Sequence, residues 1–256
     1  MENVVLIPLG ILFAGFTSLV GVGGGLFWAT YLILGRGFNP QEAVVYSFLF
    51  QFVGMSSAII TNIRKGNIFW SLVLRLLPLI IPGVLLGAFL NQRIAKPSVL
   101  QAILGVVCLV ISIFFAFQTE KYDENIQLDT TIKTPKRLRF LSFPLASLSG
   151  LLSIGIGDFL VPMLRGILKI PMRYAIGSCL FLNVFIALIG ATFNIFLSGR
   201  GINSGMLEIL IYGWIGVFIG GQIGPRLMGI VDDTRIKEIF IFVLLMMGIH
   251  LIYKSL

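Results

Sequence analysis

Hydrophobic positions do not alternate along this chain; they run on. Apolar stretches cover residues 4–34, 42–62, 69–90, 98–118, 140–164, 174–197, 206–223 and 238–253, with polar segments between them. Crossing about 30 Å of hydrocarbon takes roughly 20 helical residues, and each stretch reaches that length or comes close. An outer-membrane barrel would show strands of about ten residues alternating apolar and polar positions, and no such period-two pattern is present. The pattern therefore predicts an all-α polytopic membrane protein. Two stretches are punctuated from within. Residues 4–34 would make a straight helix of about 46 Å, well past the hydrocarbon core, and they contain Gly21, Gly23, Gly24 and Gly25. Residues 140–164 contain Gly155 and Gly157. Each is expected to enter the membrane as a broken hairpin and return to the side it came from.

The second half of the chain repeats the first at a shift of 131 to 134 positions. Gly21-Val22-Gly23 lines up with Gly155-Ile156-Gly157, Pro40 and Ser47 with Pro171 and Ser178, and Thr61 with Thr192. Gly83, Gly87 and Arg93 match Gly216, Gly220 and Arg226. The organisation read from this is a first transmembrane repeat over 1–118, a polar linker over 119–139 carrying nine charged side chains, and a second repeat over 140–256. Internal duplication of this kind is common in transporters, where substrate binds between the repeats.

Composition agrees: 57% hydrophobic and 12% charged residues exceed what a soluble domain of 256 residues could bury. The net charge of +8 is spread over short loops, which points to headgroups and a cytoplasmic bias rather than to nucleic acid. Eight simple spans would put nine basic residues on each side, against the positive-inside rule. With two returning hairpins the count becomes thirteen against five. The linker 119–139 then lies in the cytoplasm and both termini lie outside it. Each half crosses an odd number of times, so the repeats are inverted. The first segment lacks a basic start and a small-residue cleavage site, and is expected to stay in the mature protein.

The tip glycines carry the expected chemistry. Gly21, Gly23, Gly24, Gly25, Gly155 and Gly157 bear no side chains, so N–H groups around a sharp turn can converge on an anion, and helix N-termini add positive partial charge. Gly83 with Gly87 and Gly216 with Gly220 have the spacing of close helix packing. Ser47, Gln51, Asn62, Ser178, Asn183 and Asn194 place uncharged polar groups on the second span of each half, to bind substrate or to bond a neighbouring helix. Asp158 follows the second tip directly. A carboxylate at membrane depth is costly, so it either couples transport to a proton or cation or caps the helix that follows. Arg75 reaches back to headgroups, His250 sits near an interface, and Cys108 and Cys179 read as buried thiols. No cofactor or metal motif is found.

At these residues the chain resembles the TauE/SafE family of membrane anion exporters over nearly its whole length. The resemblance rests on Gly21-Val22-Gly23-Gly24-Gly25, on Pro40 with Ala43-Val44-Val45-Tyr46-Ser47, and on Arg64-Lys65-Gly66-Asn67-Ile68-Phe69-Trp70. In the second half it rests on Gly155-Ile156-Gly157, Pro162, Pro171 and Ala175-Ile176-Gly177-Ser178. The chain departs from the family pattern at Asp158 and Phe159, where glycines are expected. The resemblance implies export of sulfite or an organosulfonate from a bacterial cytoplasm through the inner membrane. The partners expected are a small anion and the bilayer, with a proton or cation coupled through Asp158 and a homo-oligomer left open. Two rival classes fit the sequence less well. An intramembrane protease needs a nucleophile and paired base at depth, and neither a Gly-x-Ser-Gly turn nor a histidine other than His250 is present. A non-transporting scaffold or receptor component would have no use for two broken hairpins. A carrier for small carboxylates is the nearest alternative among transporters.

Overall fold

The structure, a computed structural model, describes residues 2–94, 96–117, 135–198, 204–227 and 233–255. Most of the predicted linker, with Lys121 and Lys133, lies outside the described residues, as does Arg200. The described chain is helical throughout: α1 (Leu6–Val20), α2 (Gly25–Arg36), α3 (Pro40–Arg64), α4 (Trp70–Arg93), α5 (Pro97–Ala116), α6 (Lys136–Leu152), α7 (Gly157–Leu168), α8 (Met172–Ser198), α9 (Ser204–Leu227) and α10 (Asp233–Ser255). Seven of these segments, in α1, α3, α4, α5, α8, α9 and α10, are long and apolar enough to cross a membrane. Asn39 caps α3 by accepting from the Gln41 N–H at 3.1 Å, with Pro40 at the first helical position, where a missing N–H costs nothing.

Both glycine-bearing stretches are broken where the sequence placed the breaks, between α1 and α2 and between α6 and α7. The first folds back on itself. Phe13 stacks edge-on against Trp28 and Tyr31, while Phe16 meets Phe27, so later residues of α1 touch earlier residues of α2. One boundary differs from expectation: α6 begins at Lys136, not 140, because Lys136, Arg137 and Arg139 continue the helix instead of ending the linker.

α1 packs on α9, α4 on α6, α3 on α8 and α9, α4 on α8, and α5 on α10. Exchanging α1–α5 for α6–α10 leaves this set of pairs unchanged. The halves therefore interlock. One core joins α1, α2, α3 and α5 to α9 and α10 through residues such as Leu26, Trp28, Phe50, Leu104 and Phe240. The other joins α3 and α4 to α7 and α8 through Phe48, Leu76, Ile80, Leu160 and Leu180. Small residues allow the close approach, as expected. A Cβ on Gly83 would stand 2.6 Å from the Phe143 carbonyl oxygen of α6, and one on Gly220 would stand 2.5 Å from the Ile11 carbonyl oxygen of α1. Polar side chains add interhelical bonds: Gln222 Nε2 donates to the Ser57 carbonyl at 2.5 Å, and Asn91 Nδ2 to the Leu151 carbonyl at 2.7 Å. Large apolar side chains including Leu74, Phe196, Phe218, Phe242 and Ile249 remain exposed, as suits a surface solvated by lipid.

Candidate functional site

The two helix breaks meet. Helix α1 ends where Gly21 turns left-handed at φ 79°, and the N–H groups of Gly21 and Val22 both donate to the Thr17 carbonyl at 2.9 and 3.0 Å. Helix α6 ends the same way at Ser153, φ 58°. The chains then cross at Gly23 and Gly155, so closely that a Cβ on either would overlap backbone atoms of the other. A Cβ on Gly25 would collide with the Ser153 carbonyl and Gln51 Nε2, and one on Gly157 with the Gly21 carbonyl.

These contacts correct the register of the repeat. The Gly23–Gly155 contact, and the matched surroundings of Gly25 and Gly157, relate the tips by a shift of 132. Gly21 thus corresponds to Ser153, not to Gly155 as the glycine pattern suggested. The pattern misled because the second tip replaces two glycines with Ser153 and Ile156, leaving Gly155 and Gly157 to be matched to the wrong pair. The same shift relates Gln51 to Asn183, and Asn62 to Asn194, whose side-chain nitrogens each donate four residues back, to Ala58 and Gly190.

Gln51 and Asn183 reach the crossing. Gln51 Nε2 donates to the carbonyl and hydroxyl of Ser153 at 2.5 and 2.9 Å, and Asn183 Oδ1 accepts from the Ile156 N–H at 2.9 Å. Each thereby secures a helix end that lacks partners of its own. Asp158 stands in the first turn of α7 and is fully buried. It is not the cap of that helix: Ile156 holds the cap position, and neither carboxylate oxygen has a hydrogen-bond partner. Its own backbone N–H donates to the Gly155 carbonyl at 3.1 Å, which sets the carboxylate beside the Gly23–Gly155 crossing. Among the described residues, no cationic side chain pairs with it.

Buried polar atoms without partners concentrate here: Thr17 Oγ1, Gln51 Oε1, Asn183 Nδ2 and both oxygens of Asp158. Such groups cost about 1–3 kcal/mol each when left unpaired, so their clustering marks a place built for an occupant or for water. Gly24 faces Thr17 Oγ1. Three residues expected at the site are used elsewhere. The Ser47 hydroxyl bonds back to the Val44 carbonyl at 3.0 Å within α3. Ser178 Oγ accepts from the Phe69 N–H at 2.9 Å, holding the start of α4. Asn62 braces the turn after α3, where its carbonyl accepts from the Asn67 N–H at 2.9 Å. Thr17, Trp28 and Ser153 were not singled out from the sequence. The clue available was that Thr17 lies four residues before the first tip glycine, where its side chain shares the inner end of α1.

The fold and this crossing define a polytopic helical membrane protein with irregular backbone enclosed at its centre, the arrangement in which carriers hold substrates. Residues 6–251 match the family described as Sulfite exporter TauE/SafE; the chain belongs to that family of membrane transporters. Among similar proteins is the probable membrane transporter protein YunE of Bacillus subtilis, 24% identical over 278 residues, covering 100% of this chain and 99% of YunE. Another is the probable membrane transporter protein MamO of Paramagnetospirillum magneticum, 25% identical over 264 residues, where 89% of this chain matches 41% of MamO. No solved structure matches this chain.

Proposed function

We propose that this protein exports a small anion, sulfite or an organosulfonate, from a bacterial cytoplasm, binding it where the two helix breaks cross. The observation that carries this reading is the cluster of unpartnered buried polar atoms contributed by both halves: Thr17 and Gln51 from one, Asp158 and Asn183 from the other. A site shared between halves that can rock against each other is the physical requirement for alternating access. The family's description as sulfite exporters supports the substrate class. Asp158 supplies coupling. As a buried carboxylate beside the crossing it repels an anionic substrate; protonated, it does not, so anion and proton travel together. The repeats are inverted, the linker 119–139 is cytoplasmic and the termini lie outside.

Purified protein titrated with sulfite, sulfate, thiosulfate, sulfoacetate, taurine and simple carboxylates tests the reading, since a ligand bound only by the folded state raises the melting temperature. Stabilisation by at least one sulfur oxyanion, with flux of that anion in proteoliposomes, is expected. No shift with any of them would reject anion transport. Single cysteines at positions 3, 130 and 255 of a Cys-free protein test the orientation. Labelling by an impermeant reagent in intact cells is expected at 3 and 255 and not at 130, and the reverse result overturns it.

A further inference from the structure

The two carboxamides at the crossing hold equivalent places but present opposite chemistry. Both orientations are fixed by backbone partners. Gln51 gives its nitrogen to the Ser153 carbonyl; turned over, it would set two oxygens against each other. Asn183 gives its oxygen to the Ile156 N–H; turned over, it would set two donors against each other. What remains free is therefore an acceptor, Gln51 Oε1, and a donor, Asn183 Nδ2, on residues that are 3% and 0% exposed. Gln51 Oε1 lies against Gly23 and Asn183 Nδ2 against Gly155, 3.3 and 3.1 Å from where a Cβ would stand on each.

On the Gln51 side lies a cavity of about 10 Å³, room for roughly one water. Thr17, Ser18, Gly24 and Gln51 give it polar groups, and Trp28, Phe50 and Met55 give it an apolar wall. No cation lines it. Thr17 Oγ1, like Gln51 Oε1, has no partner and is fully buried. A carboxamide oxygen in such a place repels the oxygens of an anion and is satisfied only by a hydrogen-bond donor. A hydroxyl or an ammonium supplies one; a fully deprotonated oxyanion and an alkyl group do not.

Resting on the reading of the crossing as the substrate site, we propose that this cavity seats a hydrogen-bond-donating end of the transported anion. Gln51 Oε1 and Thr17 Oγ1 receive that end, and the charged end lies toward Asn183 Nδ2. The substrate class is accordingly small anions that carry their own donor: protonated oxyanions, hydroxy-sulfonates or amino-sulfonates. Fully deprotonated dianions and alkyl-capped anions are selected against.

The test uses the full-length purified protein and three sulfonates of matched carbon skeleton: ethanesulfonate, 2-hydroxyethanesulfonate and 2-aminoethanesulfonate. Thermal stabilisation is titrated for each, with sulfite as a reference anion. The wild type is expected to bind the hydroxy or the amino compound roughly tenfold or more tightly than ethanesulfonate, the scale of one buried acceptor left unpaired. Gln51→Met is expected to abolish that preference. Thr17→Val, close in shape and without the hydroxyl, is expected to reduce it severalfold, and gives a second reading should Gln51→Met fail to fold. Equal binding of all three sulfonates by the wild type, or a preference untouched in Thr17→Val and Gln51→Met, would overturn the proposal while leaving anion transport standing. No stabilisation by any sulfonate or by sulfite would instead remove the transport reading beneath it.

Discussion

At the first helix break the chain turns left-handed on Gly21 at φ 79°, a conformation that costs glycine nothing. At the second, Ser153 takes the same turn at φ 58°, which costs a residue with a Cβ about 1–2 kcal/mol. Ser153 is held there from the other half by Gln51, which bonds both its carbonyl and its hydroxyl. The first break carries no ionisable group and opens on a small cavity; the second carries Asp158, buried and without a hydrogen bond. A duplicated turn has thus kept its backbone path while its two copies took different chemistry. One copy supplies space and an acceptor, the other a buried carboxyl. The lesson is that symmetry of path does not imply symmetry of function, and each copy is tested separately.

The largest effect is expected where the two copies touch. Gly23→Val or Gly155→Val places a side chain inside the opposing backbone, and should cost about 3 kcal/mol or more, with transport lost. Melting temperature and flux of inserted protein measure both. Wild-type values for either variant would mean that the breaks are not in contact.

Next comes the ionisable group that only the second copy holds. Asp158→Asn keeps the shape and removes the ionisable carboxyl, so anion binding should persist while the dependence of flux on a pH gradient disappears. Proteoliposome flux with and without the gradient reads this directly. An Asn variant with wild-type gradient dependence would assign the coupling elsewhere.

The turn residues give a smaller, reciprocal effect. Gly21→Ser adds a Cβ at φ 79° and against Ile176, 2.8 Å away, and should destabilise by about 2 kcal/mol. Ser153→Gly relieves the strain but loses one hydrogen bond to Gln51, two contributions of about 1 kcal/mol each and opposite in sign, so its stability should stay near that of the wild type. Equal losses from both substitutions would show that the two turns are not equivalent. Gly24→Ala is expected to do least. Its Cβ would meet only the Thr17 side chain, at 3.2 Å, and a small loss of affinity with normal stability is the expected result.

The sequence by itself determined the solvent, the elements and the places where helices fail. Long apolar runs demand lipid, and runs too long for one helix with clustered glycines demand a break; these are local properties, written in composition and spacing. It also marked Asp158, Gln51 and Asn183, because polar groups at membrane depth are expensive wherever they stand. Only the tertiary structure decided what those groups meet. The repeat register at the tips came from backbone contact between Gly23 and Gly155, which no glycine pattern could align once Ser153 and Ile156 had replaced glycines. Ser47, Ser178 and Asn62 looked like site residues from their matched positions, yet each is engaged away from the crossing. The free acceptor of Gln51 and the free donor of Asn183 follow from which backbone group each amide meets: for Gln51 one on a segment 102 residues away in the other half, for Asn183 the start of the preceding helix, and packing rather than a local pattern sets both.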